Sequence, residues 1–226
     1  MVEPLSGRPL QPGDRAPNVV LDAITQEGQI AIDDFRGRKP VLVGLFRGLH
    51  CPFCRRQIAA MAQLDGALRE RGIESLTVVN TPIDRARLYF RYHPVPNLLA
   101  AADPERVSHR AFGLPNLEFT EDEDAWPYKI AQKTIMAMKV NMPGELPEPM
   151  DPIAAMAYLD KAEDYQITEA DERMMATGAG QLVGEFLLDR DGVVRWSFTE
   201  VPDGGQNMFG APRRDELMSV ASAMVH

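Results

Sequence analysis

Apolar positions along the chain follow two periods. Residues 40–46 (PVLVGLF) form an unbroken apolar run of strand length, the pattern of a central strand covered on both faces. Residues 75–80 (SLTVVN) and 98–102 (LLAAA) predict two more central strands. Between the first two runs, Ile58, Met61, Ala62, Leu64 and Leu68 recur at helical spacing and predict an amphipathic helix to about Arg71, stopped by Gly72. Residues 82–92 and 104–112 suit two shorter helices, the second ended by Gly113. Upstream, residues 19–22 and 29–33 read as short strands with Gly28 at the turn, and Asp34-Phe35-Arg36-Gly37 reads as a turn. Near the end, residues 184–189 (GEFLLD) and 193–198 (VVRWSF) flank Arg190-Asp191-Gly192, a hairpin signal, and residues 213–225 close the chain as a helix. Strand–helix alternation followed by a terminal hairpin and helix predicts an α/β fold, with a central mixed sheet flanked by helices.

Residues ~116 to ~180 break this rhythm. Pro143, Pro147, Pro149 and Pro152 cluster there, with seven of the twelve methionines. Helical pieces are expected at 130–140, 153–158 and 169–176. The stretch is too long for a plain loop and reads as a helical insertion, 116–180, within one domain spanning 1–226. Its methionines suit either packing or a pliable binding surface. The acidic run Glu121-Asp122-Glu123-Asp124 suits either a solvated loop or a docking site.

The 226 residues are 45% hydrophobic and 25% charged, which excludes disorder and a disulfide-dense scaffold. A net charge of −9 repels phosphate backbones, so nucleic acid is not an expected partner. No apolar run of about eighteen residues exists to span a membrane. The proline-rich start lacks the apolar stretch of a secretory signal, so a cytoplasmic location is expected.

Both cysteines of the chain lie in Cys51-Pro52-Phe53-Cys54. In a reducing cytosol such a pair points to catalysis or metal binding rather than to structure. Zinc wants four ligands and no second CxxC exists; His50, His93 and His109 have no ligand spacing, so no metal and no cofactor is expected. Cys51 follows a buried strand and stands where a helix begins, with Pro52 suited to the first turn. Free N–H groups of that turn favour a thiolate, and Arg47, Arg55 and Arg56 add positive charge nearby. Cysteines three apart on a helical turn lie about 5–6 Å apart at Cα, within reach of a disulfide. His50 is open to two uses, as a proton donor or acceptor beside Cys51 or as a residue that shapes the loop.

Four stretches together resemble a known group. They are Gly13-Asp14-Arg15-Ala16-Pro17, the turn Asp34 to Pro40, the cysteine segment with its helix and following strand, and Gly184 to Gly192. In order and spacing they are similar to the thioredoxin-fold proteins, specifically the peroxiredoxin-like alkyl hydroperoxide reductase and thiol-specific antioxidant (AhpC/TSA) family. The resemblance covers residues ~10–115 and ~180–225 and implies a thioredoxin-like fold. At the site it divides. The CxxC is similar to that of thioredoxins and disulfide oxidoreductases, where the first cysteine attacks and the second resolves. The peroxiredoxin motif P-x-x-x-T-x-x-C would place Cys54 as the peroxidatic residue, Cys51 at the threonine and Arg47 at the proline. Peroxiredoxins carry an arginine, and thioredoxins a cis-proline, just before the late strand; here Gln181-Leu182-Val183-Gly184 has neither.

The leading expectation is a thiol–disulfide oxidoreductase in antioxidant defence. Its partners would be a thiol, disulfide or peroxide substrate and a thiol reductant, either a protein or a small thiol. A thiol-dependent peroxidase using Cys54 or Cys51 is the close alternative. A redox-sensing binding module, with the insertion as docking element, is the alternative of another class. A homodimer is expected.

Overall fold

The computed structural model describes residues 8–116, 118–120, 129–178, 181–200 and 209–224. Seven strands form one sheet: β1 (Val20–Ala23), β2 (Gln29–Ala31), β3 (Val41–Phe46), β4 (Glu74–Val79), β5 (Leu99–Ala102), β8 (Gly184–Leu188) and β9 (Val194–Thr199). Their order is β2-β1-β5-β4-β3-β8-β9. The central β3, β4 and β5 run parallel, while β1 against β5, β8 against β3 and β9 against β8 are antiparallel. Helices α1 (Pro52–Arg69), α2 (Ile83–Tyr92), α3 (Val107–Ala111) and α7 (Arg214–Ala223) follow the strands that the periodicity placed before them. The expected mixed α/β architecture is therefore present.

The unbroken apolar run works because β3 is buried on both faces. Leu42 and Phe46 point to one side, among Ile58, Met61 and Leu68 of α1 and Leu217 and Ala221 of α7. Val41, Val43 and Leu45 point to the other, among Leu76, Val78, Phe112 and Ile30. Gly44 shares the first face. A Cβ there would stand 3.0 Å from Met61 Sδ and closer still to the Phe46 ring, so a larger residue would push α1 off the strand. Each large apolar side chain buried here contributes about 1.5–3 kcal/mol.

Between α3 and β8 lie β6 (Glu118–Thr120), β7 (Lys129–Ala131), α4 (Gln132–Ala137), α5 (Pro152–Ala162) and α6 (Glu169–Gly178). The insertion is thus not purely helical. Phe119 pairs with Ile130 in a two-stranded parallel ribbon, which takes Lys129–Ala131 out of the helix expected from residue 130. Tertiary pairing overrides helical propensity there. The acidic run 121–124 lies outside the described residues.

Helix α5 belongs to the main core. Asp151 caps its first turn, accepting the Ala154 N–H at 2.9 Å, with Pro152 at the first position. Ala155 and Leu159 are fully buried in the same cluster as Phe53, Cys51 and Cys54, and Met142, Met150 and Met156 pack against that cluster. These three methionines therefore serve packing. Leu159→Ala is expected to cost about 2–5 kcal/mol in urea denaturation. An unchanged midpoint would show that α5 rides on the core without contributing to it.

Candidate functional site

Parallel strands send their loops out at one edge of the sheet, and the chemistry collects there. β3 ends at Phe46, and residues 47–51 turn from it into α1. Two contacts shape the turn: the Cys51 N–H donates to the Gly48 carbonyl at 3.0 Å and the Leu49 N–H to Thr81 Oγ1 at 2.9 Å. Gly48 is required by crowding. A Cβ on it would lie 2.6 Å from His50 Nδ1 and 3.2 Å from the Asn80 carbonyl oxygen.

Cys51 is the N-cap of α1, and its Sγ accepts the Cys54 N–H at 3.4 Å. Pro52 fills the first helical position, where no N–H is needed. Both cysteines are free thiols and both are buried, Cys51 at 4% and Cys54 at 1% exposure. Arg47 reaches them from the end of β3, with Nη1 3.9 Å from Cys51 Sγ and 3.8 Å from Cys54 Sγ.

Burial pushes the Cys51 thiol up. The Cys54 side chain, the Arg47 guanidinium and the Cys54 N–H outweigh it and bring Cys51 down to about 7. Burial likewise pushes Cys54 up, and Cys51 beside it adds to the rise, so Cys54 is held well above the ordinary thiol value. The two sulfurs are thus divided into a more acidic and a less acidic thiol.

Arg47 has a partner that sequence reasoning missed. Glu200, in the residue after β9, grips the guanidinium with both carboxylate oxygens, Oε1 at 3.2 Å from Nη1 and Oε2 against Nη2. The same carboxylate accepts the Val183 N–H at 3.0 Å. The segment 181–184, which lacks both the arginine and the cis-proline of the resembled families, meets the site through this carboxylate. Phe209 lies over Arg47, with Cζ 5.5 Å from the ring centroid, and packs on Phe53 at 4.7 Å. No motif or spacing marks Glu200; the signal was its place just past a predicted strand of the hairpin.

Arg55 stands elsewhere. Its guanidinium bonds Glu163 and Asp160, each at 2.6 Å, and the Leu49 carbonyl at 2.7 Å, and lies 4.0 Å over the Tyr165 ring. Arg56 pairs with Glu145 and Glu163. Insertion carboxylates neutralise both charges, so these arginines tie α1 to the insertion and supply no net charge to the sulfurs.

Burial holds His50 down at about 4; Asp171 opposes this while Arg47 and Arg55 add to it, so the ring is neutral near pH 7. Its Nδ1 finds no hydrogen-bond partner among the described residues, and no bond joins the ring to either sulfur. Among the described residues no cluster of three or more His, Cys, Asp or Glu side chains is placed to hold a metal ion. No described helix is long and apolar enough to cross a membrane.

Alkylation of Cys51 by iodoacetamide is expected to rise with pH, half-maximal near the value of about 7 that its surroundings set, with Cys54 reacting only at higher pH. Arg47→Met is expected to move the Cys51 midpoint up by about 1–3 pH units. An unmoved midpoint would exclude Arg47 as the source of the acidity.

Comparison with known proteins places this geometry in a family. The AhpC/TSA family profile matches residues 12–138, more than half of the chain, running into the insertion and ending before β8. No curated protein matches the chain in sequence. Among solved structures it is similar to the reduced 2-Cys peroxiredoxin of Plasmodium vivax, with a TM-score of 0.56 at 14% identity over 95% of this chain and 82% of that one. Peroxidoxin BcpB of Mycobacterium tuberculosis gives 0.56 at 11% identity, covering 95% and 98%. A protein described as thiol:disulfide interchange protein DsbE, from Chlorobium tepidum, gives 0.54 at 16% identity, covering 96% and 99%. At these identities the structural likeness speaks for the fold alone, and the profile match speaks for descent: the chain belongs to the AhpC/TSA family.

Proposed function

We propose that this protein is a thiol–disulfide oxidoreductase in which Cys51 attacks and Cys54 resolves. Membership of the AhpC/TSA family supports oxidoreductase chemistry at a thiol in general terms. One observation carries the finer reading: Cys51 caps α1 beside Arg47 and is the more acidic thiol, while Cys54 one turn on is held protonated. The Cys51 thiolate attacks one sulfur of a substrate disulfide, forming a mixed disulfide and expelling a substrate thiolate that takes up a proton. Cys54 then loses its proton and attacks Cys51 Sγ, releasing the second substrate thiol and leaving a Cys51–Cys54 disulfide. Two electrons pass to the substrate, and a small thiol or a thiol reductant protein returns them.

A second reading rests on a separate observation. Arg47 Nε is buried and has no hydrogen-bond partner among the described residues, which leaves an unused donor for a peroxide oxygen on the guanidinium that reaches both sulfurs through Nη1. In a peroxidase, the thiolate attacks that oxygen, the O–O bond breaks and water or an alcohol leaves. The other thiol then displaces water from the sulfenic acid.

Cys51→Ser and Cys54→Ser variants separate the readings when assayed for insulin disulfide reduction and for peroxide consumption. Cys51→Ser is expected to abolish insulin reduction. Cys54→Ser is expected to accumulate a mixed disulfide on Cys51, visible by mass spectrometry. Consumption of peroxide with insulin left intact would favour the peroxidase. Full activity of both variants in both assays would remove the dithiol from the chemistry.

A further inference from the structure

Glu200 holds Arg47 and the Val183 N–H but takes no step in the proposed exchange. We propose that Glu200 is a positioning residue that makes the Cys51–Cys54 pair a stronger reductant than Arg47 alone would leave it. The inference rests on the proposed dithiol chemistry and concerns the direction in which that chemistry runs.

Topology brings the carboxylate to the sulfurs. β8 runs antiparallel to β3 and begins beside Leu45, and β9 returns antiparallel to β8, with Thr199 opposite Gly184. The residue after β9 therefore lands at the edge where β3 ends. Glu200 is 1% exposed, Arg47 5%, Cys51 4% and Cys54 1%. Four groups that form or answer charge are thus shut into one low-dielectric site. Among the described residues the other titratable groups facing it are His50 of the turn and His109 of α3, both held down by burial and neutral near pH 7. Asp103 is occupied with α3, accepting the N–H groups of Val107 and Ser108 at 2.8 Å each.

The charge balance differs between the two redox states. With Cys51 as thiolate, the site holds two negative groups, Glu200 and Cys51, against the single cation of Arg47. One negative charge is left without a cation where water is scarce, held by the Cys54 N–H and the start of α1 alone, and a buried charge short of its counter-ion is costly. When the Cys51 thiolate and the Cys54 thiol give up two electrons and the Cys54 proton and the S–S bond forms, both sulfurs are neutral. Arg47 and Glu200 then remain as a balanced bidentate pair. Oxidation of the dithiol relieves the imbalance, so Glu200 favours release of electrons to the substrate. Had Arg47 stood without Glu200, its charge would have belonged to the thiolate, and the dithiol form would have been the favoured one.

The test uses the full chain and compares Glu200→Gln and Glu200→Asp with the wild type. The measurements are the thiolate absorbance near 240 nm against pH and the equilibrium with reduced and oxidised glutathione. Glu200→Gln is expected to lower the Cys51 midpoint by about one pH unit, about tenfold more Cys51 thiolate at a pH well below both midpoints. It is also expected to shift the glutathione equilibrium about tenfold toward the dithiol, equivalent to about 30 mV for a two-electron couple. Glu200→Asp keeps the charge and is expected to return both readouts toward the wild type. If Glu200 serves packing alone, both variants lower the unfolding midpoint and neither moves the glutathione equilibrium, which would overturn the inference. A rise of the Cys51 midpoint in Glu200→Gln would overturn it as well. Should Glu200→Gln fail to fold, the double variant Arg47→Gln with Glu200→Gln leaves no unpaired buried charge. Its thiolate midpoint is expected below that of Arg47→Gln alone, and a midpoint equal to that single variant would overturn the inference. Failure of the parent reading is distinguishable, because a wild-type chain that forms no Cys51–Cys54 disulfide with glutathione removes both together.

Discussion

A charge placed in the interior must be answered there, and Arg47 is answered from 153 residues away in sequence. The bidentate grip of Glu200 is what allows a guanidinium to sit buried against two sulfurs. Without it the cation would be exposed to desolvation with only two thiols as company, and a buried charge stripped of its partner is destabilising by several kcal/mol. The pair also joins the two halves of the sheet at one edge, because Glu200 belongs to the hairpin and Arg47 to the central strand. The Val183 N–H on the same carboxylate adds the start of β8 to the junction. Fold and site are therefore secured by one contact: the strand order brings Glu200 to the edge, and Glu200 fixes the group that acidifies Cys51.

A second set of arginines works by the same physics to a different end. Arg55 and Arg56 follow Cys54 directly, yet their partners Glu145, Asp160 and Glu163 all come from the insertion. Arg55 also holds the Leu49 carbonyl and so touches the cysteine turn on one side and α5 on the other. With Leu159 and Ala155 buried in the core shared by the cysteines, the insertion is bound to the site by charge at its rim and by packing beneath. The surplus length of the chain is in this way part of the surroundings of the dithiol.

How much of this was legible in the sequence follows from the range of each interaction. The strand at 41–46 and the helix at 52–69 came from local periodicity, since burial on two faces or on one leaves a signature in neighbouring residues. Cys51, Pro52 and Cys54 were legible for the same reason: an N-cap, a first-turn proline and a thiol three residues on form a local pattern. Arg47 was visible as a nearby cation, while the sorting of Arg47 from Arg55 was not. Proximity in sequence made both candidates, and only the path of α1 sends one to the sulfurs and the other to α5. Glu200 carried no local mark, because its meaning comes from a pairing across the sheet. Ile130 failed as a helix start for a like reason, since its partner Phe119 lies on another strand.

The asymmetry between the two thiols follows from their places on one turn of helix. Cys51, as N-cap, has its sulfur where the free N–H groups of α1 converge, and it takes the Cys54 N–H directly. Cys54 lies inside the turn, where its own N–H is given to Cys51 and, among the described residues, no backbone N–H is returned to its sulfur. Arg47 stands at nearly equal distance from both, 3.9 and 3.8 Å, so the guanidinium cannot by itself choose between them. The Cys54 side chain and its N–H, both turned to Cys51, make the choice, and Arg47 with Glu200 sets how far it is carried. In the exchange proposed above, a cation shared by two sulfurs would serve both steps, because the negative charge would move from Cys51 to Cys54 between attack and resolution. The same guanidinium can then meet the charge at either place without moving.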